Sequence, residues 1–340
     1  MSPWAVILLA GAATLVLALV LPVAVRPLLV RLGIVDVPND RSSHERPVLR
    51  GLGLAVLPAM IVGYLFGLLL PAEGAPLLAV VAGAAVLSGL LGLGEDLKGV
   101  SVTVRSVLLL GIALAAGALL VWLPGGWTAQ QPVLVQLLLV VYAVLFISSY
   151  INVANFMDGL NGISGFHGVV AGLAFFAAGL FAELPWLQLA GLVLAAGFAG
   201  FLPWNLTKPG GFLGDVGSYL LGGATALTSF AALVGGVPIL ATIGPMIIYF
   251  GDVGVTLVKR VRAGRKWDEP HKEHVYQRLQ QAGRSHVVAS GIAAGFSAAA
   301  SVLGLVSFFV PPLWWIALLV AGVALVVLYT LLPRLLDRGR

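Results

Sequence analysis

The chain has 340 residues, of which 60% are hydrophobic and only 10% are charged, and its mean hydropathy is +1.04. These values exclude a soluble globular domain and indicate an integral membrane protein. The formal net charge is +5, and cysteine is absent, which excludes a disulfide framework and thiolate chemistry.

A membrane-spanning helix needs about 20 mostly apolar residues, and the apolar blocks predict about eleven such helices, with ten as the alternative. We therefore expect an all-α bundle that forms one polytopic membrane domain over residues 1–340. In chain order the predicted spans are 4–25, 52–70, 76–93, 104–123, 133–151, 163–182, 186–202, 216–235, 237–258, 287–309 and 313–332.

The loops between these spans fall into two groups, and all 19 Lys and Arg residues belong to one group and the C-terminal tail. The positive-inside rule assigns this face to the cytoplasm, so an odd number of spans places the N-terminus outside. The excess positive charge favours membrane lipids and phosphorylated substrates as partners, and we expect no nucleic-acid partner. The predicted cytoplasmic loops are 26–51, 94–105, 152–165, 203–215 and 258–286.

The first two cytoplasmic loops combine acidic and basic groups. The first crowds polar side chains around His44, although its composition alone favours a solvated basic loop. In the second, Glu95 and Asp96 are adjacent at the end of a span, with Lys98 and Arg105 nearby. Adjacent carboxylates at a membrane interface repel each other, which indicates a compensating cation such as Mg²⁺; two solvated loop acids are the alternative.

The third loop contains Asn152, Asn155 and Asp158, each three residues from the next. If this segment is helical, the three side chains share one face, because residues three apart are neighbours on a helix. Packing does not explain such a polar row in so apolar a chain. The segment therefore predicts two amides and one carboxylate projecting together.

The fourth loop lies within FLPWNLTKPGGFLGDVGSYLLG, residues 201–222, and places Asn205, Lys208 and Asp215 in a turn between two apolar runs. Asp215 either caps the helix that follows or binds a metal ion. Phe212 either stacks on a planar base or packs at the interface. This polar turn is the predicted centre of the chemistry.

The last cytoplasmic loop is the longest and most basic. His271 and His274 are three residues apart, with Arg278 one helical turn further on. Two such histidines can bind zinc, but no pattern supplies a third ligand, so phosphate recognition by His and Arg fits better. Carboxylates, amides and cations gathered on one face suit phosphoryl transfer, in which metal ions and cations neutralise phosphate charge. A P-loop is absent from the sequence, which disfavours an ATP-driven pump.

Five of these segments together resemble the polyprenyl-phosphate N-acetylhexosamine-1-phosphate transferases. In the order typical of that family, they are DVPNDRSSHERPVLRGLG (36–53), GEDLKGVSVTVR (94–105), NVANFMDGLNG (152–162), WNLTKPGGFLGDVGS (204–218) and HKEHVYQRL (271–279). The resemblance implies ten or eleven transmembrane helices in the bacterial inner membrane, with a cytoplasmic active site. A homodimer is the family expectation.

The resemblance also implies a reaction. A sugar 1-phosphate passes from a UDP-N-acetylhexosamine to undecaprenyl phosphate, UMP is released, and Mg²⁺ is required, with Mn²⁺ as an alternative. It makes Glu95, Asp96, Asp158 and Asp215 the catalytic acids, and Asp96 and Asp215 the metal ligands. Nucleotide contacts are implied for Asn155, Asn205 and Phe212, and phosphate or sugar contacts for His44, Lys98, Arg105, His271, His274 and Arg278.

Three departures from the family motifs stand out. Glu95 replaces the first acid of an Asp-Asp pair, Asn161 replaces the second acid of DGLD, and HVYQRL (274–279) replaces HxHHRL. The third resembles the branch that initiates O-antigen and capsule chains. Two other functions are alternatives: a transporter or lipid flippase, which would place binding groups near the bilayer midplane, and a catalytically silent homologue.

Overall fold

The structure is a computed structural model that describes residues 1–36, 47–123, 126–207, 210–266 and 271–337. The described chain is α-helical apart from its connections and one two-residue antiparallel pair, so the all-α prediction is confirmed. The strands are β1 (Val35–Asp36) and β2 (Val48–Leu49). The helices are α1 (Pro3–Val20), α2 (Pro22–Arg31), α3 (Gly53–Leu65), α4 (Ala75–Lys98), α5 (Val102–Val121), α6 (Val133–Met157), α7 (Ile163–Phe181), α8 (Pro185–Leu206), α9 (Gly214–Val234), α10 (Ile239–Ile243), α11 (Ile247–Arg262), α12 (Val275–Gln281), α13 (His286–Val306) and α14 (Trp315–Asp337).

Ten helical stretches of the described chain are long and apolar enough to cross a membrane, which makes this a multi-pass membrane protein. The predicted span 52–70 is a shorter apolar helix, α3 with a 3₁₀ turn to Leu69. It still connects the two ends of the bundle. Its first residue, Gly53, packs against Gly217 in α9, and Leu70 lies beside Trp186 and Gly235 at the opposite end. Eleven segments of the described chain therefore run between the ends.

Helix α9 forms the centre of the bundle. In its most apolar stretch 94% of the residues are buried, against 17% in the C-terminal span that contains α14. Helices α4 and α6 pack directly on α9, while α8 packs between α7 and α1. The N-terminus of α9 therefore lies where several helices end together.

Helices α4 and α9 approach very closely at Gly92. A Cβ atom on this residue would lie 2.1 Å from the backbone oxygen of Asp215, so only glycine fits without moving one helix. This contact brings the C-terminal turn of α4 against the first turn of α9.

Several helices extend past the ends of the predicted spans. Helix α4 continues to Lys98, α6 to Met157, α8 to Leu206 and α11 to Arg262. Hydropathy marks only the apolar part of a helix, whereas the helix itself continues until its backbone is terminated. In α4 that point is Gly99, whose φ of 64° suits glycine. Several predicted loop residues thus lie on rigid helix ends.

The two groups of loops lie at opposite ends of the bundle. The described parts of the segments predicted to be cytoplasmic lie at the end of the bundle that contains the N-terminus of α9. At the other end, loops of the second group line a cavity of about 700 Å³. Glu73, Trp127 and Glu183 belong to its lining. The assignment of the first end to the cytoplasm stays a prediction.

Candidate active site

Two carboxylates from different helices meet at one guanidinium. Asp96 lies in the last turn of α4, Asp215 in the first turn of α9, and Arg50 follows β2. Arg50 Nη2 donates to Asp215 Oδ2 at 2.6 Å, and Arg50 Nε lies 3.1 Å from Asp96 Oδ1. The fold thus joins Asp96 and Asp215, which the sequence predicts to act together, and adds a cation between them.

Asp96 is held in a fixed position. Its side chain is 1% exposed, and Oδ2 accepts the Val216 N–H at 2.9 Å, which satisfies a free amide at the start of α9. Gly214 makes this approach possible, because its φ is 76° and a Cβ atom there would lie 2.7 Å from Asp96 Oδ2. The buried Oδ1 faces the Arg50 guanidinium and accepts no other hydrogen bond among the described residues. That oxygen is suited to a cation.

Asn155 supports Asp215 from the neighbouring helix α6. Its Nδ2 group donates to Asp215 Oδ1 at 2.8 Å and to Ser218 Oγ at 2.9 Å. Asn152, one turn earlier, instead donates to the backbone carbonyl of Ser148. The helical face predicted over this segment exists, but only its second amide reaches the carboxylate.

Asp158 ends α6 beside this group. Its Oδ1 accepts a hydrogen bond from the Ser164 hydroxyl at 2.6 Å. Burial raises the pKa of Asp158 to about 7, and the negative charge of Asp215 adds to the rise, although Ser164 and Arg50 oppose it. A carboxyl group with this pKa is suited to take up or release a proton near neutral pH.

Glu95 makes different contacts from those of its neighbour Asp96. Its Oε2 accepts the Val100 N–H at 3.0 Å, and Oε1 lies 3.6 Å from Arg105 Nη1. The Glu95 carboxylate and Arg105 therefore stabilise the turn between α4 and α5, while Lys98 is exposed. The catalytic role predicted for Glu95 stays a prediction.

Two amides stabilise the polar turn after α8. Asn205 Oδ1 accepts the Gly162 N–H at 2.5 Å, and its Nδ2 donates to the Gly211 carbonyl at 3.0 Å. Asn161 Nδ2 donates to the backbone carbonyl of Asn205 at 2.5 Å, and His286 Nδ1 lies 3.2 Å from Asn161 Oδ1. Both amides are engaged within the protein, so the nucleotide contact of Asn205 remains a prediction. An ionised carboxylate at position 161 could not make this contact, because it has no hydrogen to donate to a carbonyl.

The backbone of Phe212 joins this turn to the segment after β2. Its N–H donates to the Leu49 carbonyl at 2.8 Å, and its carbonyl accepts the Gly51 N–H at 3.1 Å. Phe212 is partly exposed. The predicted base stacking stays a prediction, and His44 and Lys208 lie outside the described residues.

A buried carboxylate anchors the last loop. Asp252 in α11 is 0% exposed, and His274 Nδ1 lies 3.0 Å from its Oδ1. The Val275 N–H donates to Oδ1 at 3.0 Å, and the Tyr329 hydroxyl donates to Oδ2 at 3.1 Å. Because a carboxylate only accepts, Nδ1 of His274 carries the proton and Nε2 is the nitrogen left for a ligand.

The other residues of this loop have separate environments. The His271 ring lies 4.8 Å from that of His274, and burial lowers the pKa of His271 to about 4, with His274 and Arg260 adding to the effect. His271 is therefore neutral near pH 7. The Tyr276 hydroxyl donates to the Phe156 carbonyl at 3.1 Å, which ties α12 to the end of α6.

Comparison with known proteins now adds to this geometry. Residues 78–233 match the family model described as Glycosyl transferase family 4. The chain is also 32% identical to a decaprenyl-phosphate N-acetylglucosaminephosphotransferase of Mycolicibacterium smegmatis, over 93% of this chain and 85% of the relative. The chain belongs to the polyprenyl-phosphate N-acetylhexosamine-1-phosphate transferase family. The predicted resemblance is confirmed.

Further members of this transferase family match over most of the chain. A probable undecaprenyl-phosphate N-acetylglucosaminyl 1-phosphate transferase of Bacillus subtilis is 26% identical, over 82% of this chain and 79% of its own. An undecaprenyl-phosphate alpha-N-acetylglucosaminyl 1-phosphate transferase of Thermotoga maritima is 27% identical over 72% of each chain. The names of these transferases share a polyprenyl phosphate and N-acetylglucosamine, and they differ in the polyprenyl chain.

Sequence reasoning missed two residues of this family member's site. No pattern separates Arg50 from the other basic loop residues, and its partner Asp215 is 165 positions away. Asp252 did carry a signal, since an acidic residue inside an apolar span needs a specific partner. The sequence does not show that the partner is His274.

Proposed function

We propose that this protein transfers N-acetylhexosamine 1-phosphate from a UDP-sugar to undecaprenyl phosphate and releases UMP. The acceptor phosphate attacks the β-phosphorus of the UDP-sugar, a new P–O bond forms, and the bond to the UMP oxygen breaks. The main support is the meeting of Asp96 and Asp215 at one cationic position, beside Asn155 and Asp158. Family membership supports the same general reaction.

Asp96 and Asp215 would hold Mg²⁺, with Mn²⁺ as an alternative. A bound Mg²⁺ ion neutralises the charge that develops on phosphate oxygens during transfer. Enzymes that act on phosphates commonly hold it by one or two carboxylates, and substrate oxygens and water complete the shell. The described residues offer such a pair and no cluster of three acidic or imidazole ligands. The buried Asp96 Oδ1, whose described partner is the Arg50 cation, fits this role.

The remaining side chains would bind and orient the substrates. Arg50 supplies a guanidinium for the pyrophosphate at the position where the two carboxylates meet. Asp158 is the best-placed base for the acceptor, because its pKa of about 7 matches a phosphate group that is partly protonated near neutral pH. His274, oriented by Asp252, would accept at Nε2 a hydrogen bond from a protonated phosphate oxygen.

The transporter alternative has less support from the geometry. Asp252 is the charged residue that stands out within the predicted spans. Its carboxylate accepts hydrogen bonds from His274, Val275 and Tyr329. It therefore fixes a loop and needs no transported ion as a partner. The other polar groups of the site lie at one end of the bundle, where a soluble nucleotide sugar and a lipid phosphate would meet.

The test is release of UMP by the purified full-length protein with undecaprenyl phosphate, Mg²⁺ and a panel of UDP-N-acetylhexosamines and their 6-deoxy relatives. Asp215→Asn should abolish release, and so should removal of lipid or metal. Glu73→Gln is the matched control, because it neutralises an acid at the opposite end of the bundle. Folded wild-type protein that releases no UMP with any sugar would refute the proposed transfer.

A further inference from the structure

A second cavity, of about 300 Å³, lies between α11, α12 and α14, apart from the paired carboxylates of the site. Four cationic side chains and a single carboxylate line it: Lys259, Lys272, Arg278, Arg334 and Glu273. The cavity is large enough for a phosphate group and carries a surplus of positive charge. The reaction proposed above uses none of these side chains, although the family resemblance implies a phosphate contact for Arg278.

The carboxylate in this cavity is already neutralised. Glu273 Oε1 forms ion pairs with Arg260 Nη1 at 2.5 Å and with Arg265 Nη1 at 2.9 Å. These two arginines are not part of the cavity lining. The described ion pairs of Glu273 therefore go to arginines outside the cavity lining.

Three of the lining cations form no ion pair among the described residues: Lys259, Arg278 and Arg334. Arg278 and Arg334 both repel Lys259, and the buried carboxylate of Asp252 attracts it more weakly. Gathering like charges in a recess costs free energy unless an anion binds between them. An anion with several oxygens, such as a phosphate group, meets this requirement.

The surroundings of the cavity identify the kind of anion. On α11, Val258 and Val261 expose 50% and 59% of their surface, and on α14, Leu331 and Leu335 expose 39% and 51%. These apolar side chains flank the cations on the same helices, which is the arrangement of a helix end at the membrane interface. Basic pockets between transmembrane helices at this level bind lipid headgroups.

We propose that this cavity binds the phosphate group of an anionic lipid, with Lys259, Arg278 and Arg334 as its ligands. Two lipids carry this chemistry: an anionic phospholipid of the bilayer and undecaprenyl phosphate. Lipid binding here does not require the protein to be a transferase, so it is measured directly and stays separate from UMP release.

The experiment is native mass spectrometry of the full-length protein in detergent, titrated separately with phosphatidylglycerol, undecaprenyl phosphate and uncharged phosphatidylcholine. The double variant Lys259→Gln, Arg334→Gln should bind the anionic lipid about 30-fold more weakly, since each cation near a membrane surface contributes comparably to lipid attraction. The charge-keeping pair Lys259→Arg, Arg334→Lys should retain binding, which separates loss of charge from loss of fold. Arg284→Gln is the matched control, an exposed arginine outside the cavity lining.

The two lipid titrations distinguish the sources. If the double variant loses only the binding of undecaprenyl phosphate, the cavity is the phosphate subsite of the acceptor. If it loses only the binding of phosphatidylglycerol, the cavity is a site for a bilayer lipid. Either result supports the proposal. Unchanged affinity for both lipids in the double variant, or an equal loss in Arg284→Gln, would overturn it.

Discussion

Replacing Asp252 by Asn should detach the last loop from the bundle. Asp252 accepts hydrogen bonds from His274 Nδ1, the Val275 N–H, and the hydroxyl groups of Thr256 and Tyr329. Asn has one acceptor oxygen, and its NH₂ group would face donors that have no other described partner there. The substitution keeps the size of the side chain and removes the charge and half of the acceptor capacity.

The magnitude follows from burial. Asp252 is 0% exposed, and breaking a buried charge-assisted arrangement costs about 3–5 kcal/mol. Taking the lower figure, the equilibrium for opening of the loop around Val275 rises roughly 100-fold. Because His274 then loses the orientation of its ring, UMP release should also fall.

Hydrogen–deuterium exchange of segment 271–281 measures this opening directly. The Val275 amide, which donates to Asp252, should exchange roughly 100-fold faster in Asp252→Asn, as expected for a loss of about 3 kcal/mol. Thr256→Val is the matched control, since it removes only one donor, at 3.3 Å, from the same carboxylate. Equal exchange in Asp252→Asn and wild-type protein would refute the anchoring role, whatever happens to activity.

Three further outcomes are expected. Arg50→Gln removes the cation shared by Asp96 and Asp215. Added Mg²⁺ should therefore raise the unfolding temperature of this variant more than that of wild-type protein. Equal shifts would contradict the idea that Arg50 and Mg²⁺ share one position. Asn161→Asp should lower the free energy of unfolding by about 1–3 kcal/mol, because a carboxylate would face the Asn205 carbonyl; unchanged denaturant unfolding would count against this contact. Asp158 binds its proton more tightly in the fold than in the unfolded chain, so wild-type stability should decrease as pH rises from about 4 to about 7. Asp158→Asn should flatten this decrease in thermal unfolding, and parallel pH profiles would argue against the raised pKa.

The sequence predicted the membrane class, the family and the convergence of the basic loops, because each depends on local hydropathy, charge or motif. The family resemblance also predicted that Asp96 and Asp215 act together, and the structure places both carboxylates against Arg50. These features are readable because apolar length and charge sidedness are properties of the chain before it folds.

What the sequence could not supply are partners chosen by packing. Asn205 and Asn161 are both suitable amides for a nucleotide, and only the fold shows that they hydrogen-bond the turn itself. Glu95 and Asp96 are adjacent, yet one caps the α4–α5 turn and the other caps α9. Residue type gave their chemistry, and helix geometry decided where each oxygen points.

The tight contact at Gly92 couples the paired carboxylates to the packing of the spans. Asp96 and Asp215 belong to separate helices, and the spacing between them is fixed by helix packing inside the bilayer, with glycine at the point of closest approach. A bilayer whose thickness tilts α4 against α9 would change that spacing and with it the proposed binding of metal and pyrophosphate. Lipid composition would then act on the rate without any lipid touching the reacting atoms.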